Sequence, residues 1–253
     1  MTKGWPRVNF ASDDNPSGPC TEAIDFHSVL QDTFVVVPAY NEGRVLGGVI
    51  KSVLKTFPKI IVVNDGSSDD TSALLRALPV TVANHHINLG QGAALQTGIT
   101  SALERGARYI VTFDADGQHR VEDALTALRI LSEGKCDAVC GSRFLGVASN
   151  IPPIRKVILK AAVHFVNLTT GTKLTDAHNG LRVLSRKAAS CLDICQPGMA
   201  HASEIITQLT QQKMVICEVP VKINYTEYSI SKGQSSLNFI NTLIDLFIGR
   251  FLK

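Results

Sequence analysis

The chain has 253 residues, 45% of them apolar and 19% charged, and a net charge of +3. That is a globular composition with room for one large α/β domain and its core. No apolar run approaches the roughly 18–20 residues that cross a bilayer, and no nucleic-acid partner is expected. The charge is divided unevenly: residues 1–150 hold 13 Lys+Arg against 16 Asp+Glu, and residues from Ile151 onward hold 12 against 6. An acidic half able to hold a metal and a basic half able to meet anionic groups follow from that split.

Residues 1–32 are polar and interrupted by Pro6, Pro16 and Pro19. They read as a loosely ordered lead-in without the apolar stretch of a secretory signal, which predicts a cytosolic protein. Cys136 and Cys140, like Cys191 and Cys195, are four apart rather than at zinc-knuckle or redox spacing, so the cysteines are expected to be free thiols. From Thr33 onward, short apolar runs alternate with amphipathic segments. Strands are predicted at Phe34–Val37, Ile60–Val63, Val80–Ala83, Tyr109–Phe113 and Ala138–Cys140, and helices at about Val45–Lys55, Asp70–Leu78, Ala93–Glu104 and Val121–Glu133. Ser67 or Ser68 offers an N-cap to the second of these helices. The alternation predicts a mostly parallel, Rossmann-like sheet with helices on both faces and ligands at the carboxyl ends of its strands.

After Ser142 the pattern changes. Pro152-Pro153 opens a basic helix over Ile154–Leu168; a strand follows at Leu181–Leu184, then helices at Arg186–Leu192 and Ala202–Gln212. Over Val215–Tyr225 the residues Val215, Cys217, Val219, Val221 and Ile223 alternate with mostly polar ones, as in a half-buried strand. An amphipathic segment, Leu237–Lys253, closes the chain; it can lie in a membrane interface or pack on the domain.

The chemistry is concentrated in turns. Asp114-Ala115-Asp116-Gly117-Gln118-His119 follows the fourth strand, where two carboxylates two residues apart point to one side and can share a hard divalent cation with the Gln118 amide oxygen. His119 is a candidate ligand, though a capping or surface role is the expectation. Asn64-Asp65-Gly66-Ser67-Ser68-Asp69 also follows a buried strand, and Asp65 can accept hydrogen bonds from a nucleoside. Pro38-Ala39-Tyr40-Asn41-Glu42, with Tyr40 available to pack on a base, and Asn88-Leu89-Gly90-Gln91-Gly92 complete four polar turns on one edge.

Taken together, Val37-Pro38-Ala39-Tyr40-Asn41-Glu42, Asn64-Asp65-Gly66-Ser67, Asn88-Leu89-Gly90 and Asp114-Ala115-Asp116-Gly117 resemble the inverting GT-A glycosyltransferases of family 2, over about Thr33 to Tyr225. Gly141-Ser142-Arg143, Asp176-Ala177-His178-Asn179-Gly180-Leu181-Arg182 and Glu218-Val219-Pro220-Val221 are similar to the branch of that family resembling dolichol-phosphate mannose synthase and acting on polyprenyl phosphates. The resemblance implies a single GT-A domain at residues 33–225, followed by an acceptor loop and tail at 226–253. It implies that Pro38, Ala39, Tyr40, Glu42, Asp65 and Gly90 hold the nucleotide, and that Asp114, Asp116 and Gln118 handle Mg²⁺ or Mn²⁺ and the diphosphate. Two departures stand out: Asn64-Asp65 replaces a pair of acids, and Gly233-Gln234-Ser235-Ser236 lacks the usual lysine, for which Lys232 is the substitute.

Leaving-group charge on a nucleotide-diphospho-sugar must be neutralised, here by the cation at Asp116 with Arg143 or Arg182 nearby. A hydroxyl acceptor then needs a base, whereas a phosphate monoester is already anionic. Relatives that extend glycans carry a late acidic pair, and processive ones add Gln-x-x-Arg-Trp. The sole Glu-Asp pair here is Glu122-Asp123, beside the metal motif, and the one tryptophan is Trp5. A polyprenyl or dolichyl phosphate acceptor is therefore expected, met by Arg143, Arg182 and Lys232, with the enzyme peripheral on the cytoplasmic membrane face. The alternative is a glycan hydroxyl, with Asp176 and Glu204 as candidate bases. A nucleotidyltransferase would need a glycine-rich loop with a basic residue where Pro38-Ala39-Tyr40 stands.

Overall fold

The structure is a computed structural model that describes residues 25–145, 153–196, 198 and 200–224, with side chains from Leu159 onward in the helix that begins at Pro153. In chain order the first half runs α1 (Phe26–Gln31), β1 (Thr33–Ala39), α2 (Leu46–Leu54), β2 (Ile60–Asp65), α3 (Thr71–Arg76), β3 (Thr81–His85), α4 (Gln91–Glu104) and β4 (Tyr109–Thr112). The second half runs α5 (Val121–Ser132), β5 (Ala138–Ser142), α6 (Pro153–Thr170), β6 (Arg182–Ser185), α7 (Arg186–Ser190), α8 (His201–Gln211) and β7 (Ile216–Pro220). The strands form one sheet in the order β3-β2-β1-β4-β6-β5-β7, and only β6 among them runs antiparallel to its neighbours.

The sequence explains this layering. β-branched residues fill Val35–Val37 and Ile60–Val63, and every residue of β1 and β2 is buried, as central parallel strands covered on both faces must be. Val35 and Val37 point into a core with Leu46, Ile50 and Val53 of α2 and Ala124 and Leu128 of α5. Phe34 and Val36 point the other way, into a core with Leu95 and Ile99 of α4 and Ile205 and Leu209 of α8. The chain leaves β1 toward β2 and β3, then returns to β4 on the opposite side. That reversal opens a crevice at the carboxyl ends of β1 and β4, where such sheets hold ligands.

Several expectations shift. The last residues of the expected lead-in form α1, capped by Asp25 Oδ1, which accepts from His27 N at 3.0 Å. Neither Ser67 nor Ser68 caps α3. Asp69 accepts from Thr71 N at 3.0 Å, because the serines are spent on the neighbouring turn. β7 is shorter than expected. Val215 is exposed and Ile216 buried, because Val215 lies at the entry to the strand, where its backbone bonds Asp137 and Ala138. The inward alternation of Val219, Val221 and Ile223 holds, although Val221–Asn224 is irregular. Lys232, Gly233–Ser236 and the amphipathic segment Leu237–Lys253 lie outside the described residues. Cys136, Cys140, Cys191, Cys195 and Cys217 are free thiols. No helix among the described residues is long and apolar enough to cross a membrane.

Candidate active site

A cavity of about 510 Å³ opens at the carboxyl edge of the sheet. All four turns reach it: Pro38, Ala39, Tyr40 and Glu42 after β1; Asp65 at the end of β2; Asn88 and Gly90 after β3; Asp114, Asp116 and Gln118 after β4. The turns are wired to one another. Asn41, in the left-handed region at φ 53, takes its N–H to Ser67 Oγ (3.0 Å) while its Oδ1 accepts from Ser68 N (2.9 Å). Asn tolerates that conformation better than most residues. Asp65 is 2% exposed and accepts from His85 Nδ1 (2.7 Å), Leu89 N (2.9 Å) and Gly90 N (2.8 Å). It therefore braces the third turn against the second as well as lining the cavity. Tyr40 is 44% exposed and lines the cavity.

At the centre, Asp114 Oδ1 accepts from Gln91 Nε2 (3.1 Å) and its Oδ2 pairs with His119 Nε2 (2.9 Å). His119 thus neither caps a helix nor sits on the surface; its side chain is 4% exposed and meets Phe113 edge-on at 5.6 Å. Burial pushes the Asp114 carboxyl up, but the hydrogen bond and charge of His119, with the charges of Arg182 and His201, outweigh it and hold the group below the usual range. Asp116 moves the opposite way, raised by burial and then by the negative charge of Asp114. Gln118 directs its amide nitrogen to Asp116 Oδ2 (2.6 Å), not the oxygen expected as a ligand; rotation about its last side-chain bond exchanges the two.

Among the described residues no three His, Cys, Asp or Glu side chains form a ready cation cage. The donor set nonetheless fits a hard cation. Two carboxylates two residues apart raise the energy of each other's charged form, which a divalent ion relieves. Mg²⁺ in particular is held by one or two carboxylates plus waters and substrate phosphates.

The positive charge comes from the neighbouring strands β6 and β5. Arg143, which follows β5, and Arg182, at the start of β6, both line the cavity. Arg182 is 1% exposed, with Nη2 on Ala177 O at 3.2 Å. Arg143 Nε is paired with Asp176 Oδ2 at 2.5 Å, and its N–H donates to the same oxygen at 3.1 Å. Behind them, Glu218 of β7 accepts from Asp176 N (2.9 Å) and Thr175 N (2.8 Å), locking the loop that holds Arg143. Asp176 is accordingly a buried ion-pair partner. Glu204 accepts from Cys195 N (3.2 Å) and Gln196 N (2.9 Å) and so fastens the loop before α8. Neither lines the cavity, and Asp123 of the acid pair accepts from Lys222 N at 2.9 Å.

Sequence reasoning did not single out Gln91, Asn179, Gly180 or His201 as cavity residues, nor Glu218 as their support. For Glu218 there was a signal: an acid amid the apolar alternation of a strand. Gln91 lay in the Asn88–Gly92 turn, and Asn179 and Gly180 in the Asp176–Arg182 motif, without a role of their own; for His201 there was no signal, since its role depends on which loops meet.

Two of these buried groups predict a pH dependence. Burial lowers His178 and His201 each to about 4, with the Arg182 charge adding to both. Below the ordinary histidine value near 6.5, the unfolded chain binds protons that the folded chain refuses, so stability falls as pH drops from about 6.5 to 4. The loss is on the order of 3 kcal/mol per histidine at the acid end. Glu218, raised by burial, opposes it, since its folded form binds the proton more readily. Urea midpoints at pH 7, 5.5 and 4.5 should descend in that order, and His201→Gln should remove roughly half of the histidine contribution.

With the geometry in place, comparison with known proteins gives a consistent answer. The family described as "Glycosyl transferase family 2" matches residues 34–193. A UDP-N-acetylglucosamine–dolichyl-phosphate N-acetylglucosaminyltransferase of Methanococcus voltae is 31% identical, over 79% of this chain and 88% of the relative. A polyprenol monophosphomannose synthase of Mycolicibacterium smegmatis is 30% identical, over 81% of this chain and 82% of the relative. Among solved structures, glucosyl-3-phosphoglycerate synthase from Mycobacterium tuberculosis, in complex with Mn²⁺, uridine diphosphate and phosphoglyceric acid, shares the fold with a TM-score of 0.65. It is 17% identical and covers 87% of this chain and 81% of its own. The matched segment holds all four cavity turns and both arginines, and this chain belongs to glycosyl transferase family 2.

Proposed function

We propose that the protein transfers a sugar, with inversion, from a UDP- or GDP-linked donor to a polyprenyl or dolichyl phosphate, using Mg²⁺ or Mn²⁺. In this reading Pro38, Ala39, Tyr40, Glu42, Asp65 and Gly90 bind the nucleotide. Asp114, Asp116 and Gln118 hold the cation, which when bound supplies positive charge to the diphosphate leaving group. Arg143 and Arg182, with Lys232 from beyond the described residues, meet the acceptor phosphate and position its oxygen against the anomeric carbon. The metal assignment is supported by the donor chemistry of the pair and by the Mn²⁺ and uridine diphosphate bound to the structural relative. A lipid acceptor implies work at a membrane surface, on its cytoplasmic face.

One observation carries the choice of acceptor. Among the described residues, the carboxylates lining the cavity are Glu42, Asp65, Asp114 and Asp116, all on turns assigned to the nucleotide and cation. The same cavity is lined by Arg143 and Arg182, while Asp176 and Glu204 are occupied elsewhere. Such a lining suits an acceptor that arrives ionised and needs cations more than a base. The lipid-phosphate names of the two curated relatives favour the same reading.

The test compares transfer to polyprenyl phosphate with transfer to hydroxyl-bearing acceptors. Glu204→Gln should keep activity within a few-fold, since losing a true base would cost about 10²–10⁴-fold. Arg182→Met, which retains much of the buried volume, should raise the apparent KM for polyprenyl phosphate far more than for the sugar nucleotide. Asp176→Asn is no clean test of a base, because breaking a buried ion pair costs about 3–5 kcal/mol of stability. Transfer to hydroxyls alone, lost on Glu204→Gln, would overturn the lipid-phosphate reading.

A further inference from the structure

His201, the first residue of α8, has a use beyond the residues assigned above. Its ring is 3% exposed and lines the cavity. Nδ1 lies 2.7 Å from Gly198 O, and a carbonyl oxygen only accepts, so Nδ1 carries the proton. Nε2 is then a bare lone pair. It makes no hydrogen bond to the described residues, and it is not among the buried atoms sealed from solvent without a partner, so it faces the cavity. Burial, with the nearby Arg182 charge, lowers the ring to about 4 and keeps that lone pair available at neutral pH.

We infer that His201 is a specificity-determining residue whose Nε2 accepts a hydrogen bond from one hydroxyl of the sugar being transferred. The placement favours the sugar over the other reactants. His201 lines the same cavity as Asp114 and Arg182, and in the proposed reading the transferred sugar lies in that cavity between the diphosphate held with the cation and the acceptor phosphate. A lone pair directed at an acceptor phosphate dianion would meet only other lone pairs, whereas a sugar hydroxyl brings the donor that the site lacks. Gln196, whose carbonyl presses against Gly92 at the start of α4, holds the preceding loop down; a Cβ at Gly92 would lie 2.0 Å from that oxygen.

This inference rests on the nucleotide-sugar reading of the cavity, and one calorimetric series separates the two. Wild type, His201→Ala and His201→Gln are titrated with UDP, with GDP, with UDP-glucose, UDP-N-acetylglucosamine and GDP-mannose, and with the monodeoxy forms of whichever hexose nucleotide binds. All three proteins should bind the free nucleoside diphosphate within about twofold of one another. His201→Ala should bind the intact hexose nucleotide about tenfold more weakly, the scale of one buried hydrogen bond, and His201→Gln should recover most of that through its amide oxygen. With one deoxy form the gap between wild type and His201→Ala should close. Equal loss on UDP or GDP alone, or a gap that persists through every deoxy form, would overturn the role of His201 and leave the donor reading intact. Failure of wild type to bind UDP, GDP or any of these sugar nucleotides would overturn both. If the variants do not fold, the Nε2 resonance of the ¹⁵N-labelled wild-type ring decides: it should move upfield with the hexose nucleotide and not with the free diphosphate, and its failure to do so overturns the inference.

Discussion

Asp116→Asn should lower transfer on the order of 10³-fold while leaving the melting temperature within a few degrees of wild type. The substitution keeps the size of the side chain and removes its charge at the cavity wall. Asp116 is already raised by burial and by Asp114, so its charge is held there against the protein's own electrostatics. Neutralising it relieves repulsion in the fold and, in the proposed function, withdraws stabilisation from the cation and diphosphate that Asp116 would hold. Charge stabilisation of that kind is worth several kcal/mol, and each 1.36 kcal/mol is about tenfold in rate. EDTA should reproduce the loss in the wild type, with Mg²⁺ or Mn²⁺ restoring the wild type and not the variant. Undiminished transfer in EDTA would remove the cation from the proposal.

Gly180→Ala should be nearly as damaging, by at least about 10²-fold in kcat/KM, although alanine adds a single methyl. A Cβ at Gly180 would fall 2.0 Å from Asp114 Oδ2 and 2.5 Å from its Cγ. The backbone cannot retreat easily, because Gly180 O accepts from Thr112 Oγ1 at 2.7 Å, and Thr112 Oγ1 itself accepts from the backbone N–H of Arg182 at 3.1 Å. Asp114 must therefore rotate away from His119 and Gln91, and an ångström of misplacement at a reacting centre costs on the order of 10²-fold. Parallel measurement of Mn²⁺ affinity and of thermal stability separates this from general unfolding. Wild-type kinetics in a folded Gly180→Ala protein would show that Asp114 does not need its present position.

The parallel sheet, the two-faced helical cover and the four converging turns were legible in the chain because each is written locally. A period-two or continuous apolar run marks a strand, a 3.6-residue stripe marks a helix, and polar residues between them mark a turn at a known end of the strand. Pro38, Tyr40, Glu42, Asp65, Asp114 and Asp116 could be named from those rules and from the motifs they form. Contacts between turns were decided by tertiary structure alone. Asp65 spends its carboxylate on His85 and the third turn, Ser67 serves Asn41 rather than a helix, and Asp176 pairs with Arg143 instead of awaiting a proton. His201 faces the cavity only because α8 begins where the loop fastened by Glu204 delivers it. Residues far apart in sequence acquire these partners through the sheet order, and a linear pattern carries spacing along one element, not the distance between two.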